Sequence, residues 1–158
     1  MPLTPEATTT QPIGPAEAVN SYLRAFYTGD FTLARDLVAD DFSFQGPFLQ
    51  VRGKEPFFAG AEGLRGVVGG HRLVRQWADG ADVSSLYEVT LQTPAGRGEV
   101  LMSEWHTVSE GKLVSGRVTF DTAVFRALLP GPERRGRTRR GGAVRSTGNT
   151  SRTDGRRH

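Results

Sequence analysis

Cysteine is absent from the 158 residues, which excludes disulfides, cysteine-ligated zinc, iron–sulfur clusters and a thiol nucleophile. Histidine is scarce as well. The chain has three, none grouped with Asp or Glu at ligand spacing, so neither a metal nor any cofactor is implied. No apolar run approaches the ~20 residues that a membrane span needs. The opening MPLTPEATTTQPIGP has no basic start and no apolar stretch, so it does not read as a secretory signal and a cytoplasmic protein is expected. What is present suffices for a core: 37% of residues are hydrophobic, and the length suits one domain of the usual ~100–150 residues.

The formal charge of +3 conceals a division along the chain. Residues 131–158 hold nine arginines against Glu133 and Asp154, a net +7, which leaves 11 basic and 15 acidic side chains elsewhere, a net −4. That last stretch contains no aromatic residue, and Val144 is its one sizeable aliphatic side chain. It cannot bury enough apolar area to offset the entropy of ordering it. The expected organisation is therefore a disordered N-terminus over 1–13, a domain over 14–130 and a disordered basic tail over 131–158.

Within the domain, helical patterns come first. Pro15 after Gly14 opens a helix whose Val19, Tyr22, Leu23 and Phe26 share one face, and Gly29 stops it. Asp30 caps a second, short helix with the apolar set Leu33, Ala34, Leu37 and Val38. Phe42-Ser43-Phe44 reads as a brief strand ended by Gly46-Pro47. A third helix starts near Lys54-Glu55-Pro56 and buries Phe57, Phe58, Ala61, Leu64 and Val68, although glycines at 60, 63 and 66 each weaken it by ~1 kcal/mol. Residues 71–78, 81–93, 99–108 and 112–120 are strands, divided by Asp79-Gly80, Pro94-Ala95-Gly96 and Ser109-Glu110-Gly111. Asp121 is placed as the cap of a last helix over 122–129. Helices followed by an antiparallel meander make an α+β plan in which a curved sheet wraps the helices and leaves a cone-shaped cavity.

This order of elements, with GPF at 46–48 and EGKLVSGRVTFD at 110–121, resembles the SnoaL-like branch of the nuclear-transport-factor-2-like superfamily over residues 15–129. The resemblance implies the cone fold. It implies no single function, because the superfamily includes ketosteroid isomerases, polyketide cyclases, epoxide hydrolases and members that only bind or dimerise. Tyr22 and Glu104 match the isomerase's oxyanion-hole pair, but the position of its general base is Gly46. His106 matches a cavity histidine of the cyclases, whose catalytic Asp falls at Val118. The epoxide hydrolase's Arg-x-Asp on a strand is missing.

Alternation puts Met102, Glu104, His106 and Val108 on one face of their strand and Leu101, Ser103, Trp105 and Thr107 on the other. By resemblance the first set faces the cavity and the second an outer surface used for homodimerisation, where Arg117 also falls. Burial disfavours the charged form of a carboxylate or an imidazole, and pairing the two opposes that, so Glu104 and His106 are a candidate acid/base couple. Tyr22 admits two roles, a core tyrosine or a hydrogen-bond donor in the pocket. Phe44, Trp77, Met102, Val118 and Phe120 are expected to line the cavity, and His71 to be exposed. The expected function is small-molecule binding, either as a cyclase- or isomerase-type enzyme on a small apolar carbonyl-bearing ligand or as a non-catalytic ligand-binding or dimerisation module.

The tail has one binding mechanism available, contact with phosphates or other anionic surfaces, which is salt-sensitive and blind to sequence. Removing residues 131–158 should leave the melting temperature unchanged. It should also abolish weak binding to random duplex nucleic acid, with Kd of order 10⁻⁴ M at physiological salt. A salt titration comparing the full chain with the truncated one checks both. Equal binding by the two would contradict the tail's role.

Overall fold

Local signals at residues 14–36 set the first layer. The computed structural model describes residues 13–129, so the expected disorder of the N-terminus and of the basic tail falls, Ile13 apart, outside the described residues. Helix α1, Pro15–Thr28, carries Pro at its start, where a missing N–H costs nothing. Gly29 ends it at φ 82°, a left-handed conformation that glycine adopts without strain. Its buried residues include Val19, Tyr22, Leu23 and Phe26, the face anticipated from spacing. Asp30 caps α2, Phe31–Asp36, by accepting the Leu33 N–H at 3.1 Å. The apolar set expected for α2 forms in part: Ala34 and Val38 are buried and Leu37 is partly so, while Leu33 is exposed and Phe31 is buried as well. Six residues are too few for a full stripe, and Val38 already belongs to the next strand.

That strand, β1, runs Val38–Gln45 and so exceeds the brief Phe42–Phe44 segment. It pairs antiparallel with an unanticipated β2, Gln50–Arg52, through Phe44 and Val51. Helix α3, Lys54–Ala61, buries Phe57, Phe58 and Ala61. A 3₁₀ turn over Glu62–Leu64 follows, and Gly66 at φ 82° turns the chain, so Val68 begins a strand rather than ending a helix. The remaining strands are β3, Val68–Asp79, β4, Asp82–Thr93, β5, Gly96–Ser109, and β6, Lys112–Phe120. Helix α4, Ala123–Leu128, follows. Asp121 stands one residue before the cap position and accepts the Ala123 N–H at 2.9 Å.

The six strands form one unclosed sheet in the order β2-β1-β6-β5-β4-β3. It is mixed rather than wholly antiparallel, because β1 runs parallel to β6. The long route from β1 through α3 and the meander allows that pairing, which no short turn could make. Register shifts lie within β3 and where β5 meets β6; such bulges bend and twist a sheet. On β4 the inner face is Val83, Ser85, Tyr87, Val89 and Leu91, and on β5 it is Val100, Met102, Glu104, His106 and Val108, all buried. These strands pack on α1, and α4 rests on β4 and β5. The close seating of α4 requires Gly98, whose added Cβ would stand 2.6 Å from Val124 Cγ1. Among the described residues no helix is long and apolar enough to cross a membrane.

Candidate functional site

The helices do not fill the concave face of the sheet. Between them lies a cavity of about 590 Å³, well within the ~300–1,000 Å³ usual for small-molecule sites. From α1 it takes Tyr22, Leu23, Phe26 and Tyr27; from the strands Phe44, Tyr87, Met102, Glu104, Val118 and Phe120. The 46–49 loop, α3 and α4 complete the wall with Phe48, Leu49, Phe57, Phe125 and Arg126 among others. The surface is aromatic and apolar, with few polar groups.

Most of the sequence-predicted positions meet here. Tyr22, Glu104, Phe44, Met102, Val118 and Phe120 all reach the cavity. His106 does not. It is fully buried behind the wall, with the edge of its ring on that of Tyr22 at 5.4 Å and its Cδ2 near Gly116, where an added Cβ would lie 3.2 Å away. Trp77, expected in the lining, is 54% exposed on the outer face. The cause is the register shift between Leu73 and Arg75. In the register set by Leu73 and Tyr87, Trp77 would oppose inward-facing Val83. The extra residue moves it opposite outward-facing Ser84, since a one-residue slip reverses the face. Gln76 takes the inner position and bonds Ser85 at 3.0 Å and Asn20 at 2.9 Å.

The polar centre is a chain of four groups. Glu104 is 4% exposed. The Tyr87 hydroxyl donates to its Oε2, and the Tyr27 and Tyr87 hydroxyls are 2.9 Å apart. On the other side, His106 Nε2 lies 3.1 Å from Oε1, although the ring N–H is poorly aligned with that oxygen and makes no well-formed hydrogen bond. Burial pushes the Glu104 carboxyl up, but His106, the Tyr87 hydroxyl and His71 together hold it below the usual carboxylate range. Burial, reinforced by the Glu104 charge, raises Tyr22, Tyr27 and Tyr87. All three therefore stay protonated as donors. The centre is one fixed acceptor surrounded by phenols.

His71 departs from the expected exposure. It is partly buried, stacked on Tyr27 at 4.9 Å and edge-on to Tyr87 at 5.2 Å, with Nε2 enclosed and without a partner. Burial lowers its pKa, Arg24 adds to that, and Glu104 opposes it. Tyr27 is the residue that spacing passes over, and Tyr87 reads from the sequence only as one of several core or cavity aromatics. Tyr87 had a signal, its place in the inward alternation of β4; Tyr27 stands at the edge of the α1 stripe and had none. Among the described residues, no group of three His, Cys, Asp or Glu could hold a metal ion.

Gly46 and Val118, the positions that the resemblance assigns to the isomerase's base and the cyclase's Asp, lie close together. A Cβ on Gly46 would stand 2.9 Å from Val118 Cγ1 and 3.2 Å from Phe44 Cε1. An Asp at 46 would need Val118 to move, so the apolar packing and the lost carboxylates form one local arrangement.

Residues 19–117 match the family model described as a SnoaL-like domain. No curated protein matches the chain in sequence. Among solved structures, it is similar to an LEH-like epoxide hydrolase from M. tuberculosis, at 26% identity and TM-score 0.61 over 72% of this chain and 88% of that one. A nuclear-transport-factor-2-like protein of unknown function from Cytophaga hutchinsonii aligns at 22% identity and TM-score 0.61, covering 74% and 97%. A putative isomerase from Rhodopseudomonas palustris aligns at 13% and 0.61, covering 71% and 93%. The latter two likenesses show the fold.

The Tyr87 hydroxyl is the directed donor to Glu104, so Tyr87→Phe should destabilise the protein by about 1–3 kcal/mol, the cost of leaving a buried acceptor short of a partner. The pH dependence follows from the direction of the Glu104 shift. A carboxyl held below its unfolded value contributes stability above the ordinary carboxylate range and loses it as pH falls through the folded value. Removing the donor reduces that depression. Urea unfolding from pH 7 to pH 3 should therefore show the variant losing less stability on acidification than the parent, from a lower start.

Proposed function

This chain belongs to the SnoaL-like domain family, and within it we propose that the cavity binds a small apolar molecule bearing a carbonyl group. The observation that carries this reading is the pairing of an ionised, buried Glu104 with a protonated Tyr22 on one aromatic-walled cavity. A carboxylate repels a carbonyl oxygen, so the carbonyl must turn to the Tyr22 hydroxyl as donor. The adjacent carbon then faces Glu104. In that pose Glu104 takes a proton from the carbon, the electron pair moves to the oxygen under the Tyr22 hydrogen bond, and the proton returns to the same or a neighbouring carbon. His106 acts as a positioning residue that keeps the Glu104 charge in place from behind the wall. The LEH-like epoxide hydrolase and putative isomerase likenesses are compatible with small-molecule chemistry in such a cavity.

A second reading, binding without catalysis, is favoured by two observations. Gly46 and Val118 supply no further carboxylate, and a Glu104 held below the usual range is a weak base. Binding of β-tetralone and exchange of its α-hydrogens in heavy water, followed by NMR, separate the two. Glu104→Gln should bind the ketone within about twofold of the parent while exchange falls by roughly a hundredfold or more, to the buffer rate. Binding by both with no exchange above buffer selects the non-catalytic reading. Failure of a library of apolar carbonyl compounds to raise the melting temperature would remove the binding proposal altogether.

We further propose that the outer sheet face joins two copies of the chain. Trp77, Ser84, Trp105 and Arg117 form one cross-strand row, and Trp77, Leu101 and Trp105 are each more than half exposed. Large apolar groups concentrated on one face mark contact surfaces. Sedimentation of the full chain should give a dimer that Trp105→Glu dissociates, and a strict monomer at high micromolar concentration overturns this.

A further inference from the structure

The reading of the cavity as a small-molecule site leaves open how its ligand is oriented, and one side chain at the rim answers that. Residues that line the cavity and are nonetheless exposed mark its mouth: Pro47, Phe48, Gly60, Gly63 and Arg126. Arg126, on α4, is the single cation in the lining. Two other arginines near the helices are engaged, Arg35 with Glu55 and Arg65 with Glu62 at 3.3 Å; Arg24 on α1 does not line the cavity. Arg126 has no ion-pair partner among the described residues.

Resting on that reading, we propose that the ligand is an apolar carboxylate whose anionic end is held by Arg126 at the mouth while its apolar body lies inside. The charge layout supports this polarity. The negative charge of Glu104 occupies the deep end, so an anion entering first would be both desolvated and repelled. At the rim, the same anion keeps its water and meets a guanidinium able to bind it bidentately. The distance suits an extended molecule. Glu104 and Val118 are cross-strand partners, as are Met102 and Phe120 one step closer to α4. A two-residue step along a strand is about 7 Å, and Phe125, next to Arg126, packs on Phe120 at 4.8 Å. A ring system with a short acidic side chain spans this path, its ring among Phe44, Phe57 and Met102.

The test is isothermal titration of the full chain with naphthylbutanoate and with its methyl ester, at low and at physiological salt. The acid should bind about fivefold more tightly than the ester at low salt, less so as salt rises, as a partly screened charge-assisted contact does. Arg126→Gln should remove the preference and leave ester binding unchanged, and Arg126→Lys should keep most of it. The tail arginines are present in every variant, so a change on substituting residue 126 reports on the rim alone. Equal binding of acid and ester by the parent, or a preference that survives Arg126→Gln, overturns the proposal while the cavity reading stands. The second of these would leave Arg126 the role of neutralising the C-terminal end of α4. If neither compound binds, the proposal fails, and the β-tetralone and library measurements above decide the cavity reading separately.

Discussion

A carboxylate at 4% exposure must be compensated, and the inner face of the sheet is organised around compensating Glu104. Its partners come from three places: His106 two residues along the same strand, Tyr87 across β4, and Tyr27, through Tyr87, from α1. Each depends on the registers that hold the strands together. Met102 opposes Tyr87 and Glu104 opposes Ser85, which puts the carboxylate one diagonal step from the phenol. His106 opposes Gly116, and a side chain there would crowd the ring. A buried ion is weak evidence for stability; the apolar Val100, Met102 and Val108 turn this face of β5 inward, and Glu104 is accommodated among them.

The same packing explains what the site is not. Gly46 and Val118 stand at the positions that the resemblance assigns to the acids of isomerase and cyclase chemistry, and a Cβ added at 46 would crowd Val118. Val118 fills space that a longer residue at 46 would need, and Phe44 flanks it. A carboxylate placed at 46 would therefore stand against Val118 and Phe44. Among the residues that line the cavity, Glu104 is the one carboxylate.

How much of this the sequence disclosed differs by element. The α1 stripe, the Asp30 cap and the hairpins of the meander were legible because each is a local pattern enforced by local physics. The inward placement of Met102 and Glu104 was legible too, since alternation along a strand needs no knowledge of its neighbours. Trp77 was not. Its face depends on one extra residue between Leu73 and Arg75, and a bulge has no composition of its own. The short β2 and the parallel pairing of β1 with β6 were hidden for a related reason: both arise from partners far apart in the chain. His71 looked like an exposed strand start, yet its surroundings are set by Tyr27, 44 residues earlier. Among the polar groups, position on a strand was readable, and the hydrogen-bond partners were not.

Core and cavity share their walls, which ties stability to occupancy. Phe57 packs on Phe26, Phe42 and Phe44 within the core cluster and at the same time faces the cavity. Tyr22 and Met102 do likewise. An apolar ligand therefore extends a packed surface that already exists and adds its burial to that of the core. Helix α4 contributes both Phe125, packed on Phe48 and Phe120, and Arg126 at the rim. Its seat on Gly98 therefore governs the shape of the mouth as well as the closure of the core. A substitution there would alter folding and access together. Helix α4 thus belongs both to the core and to the rim of the cavity.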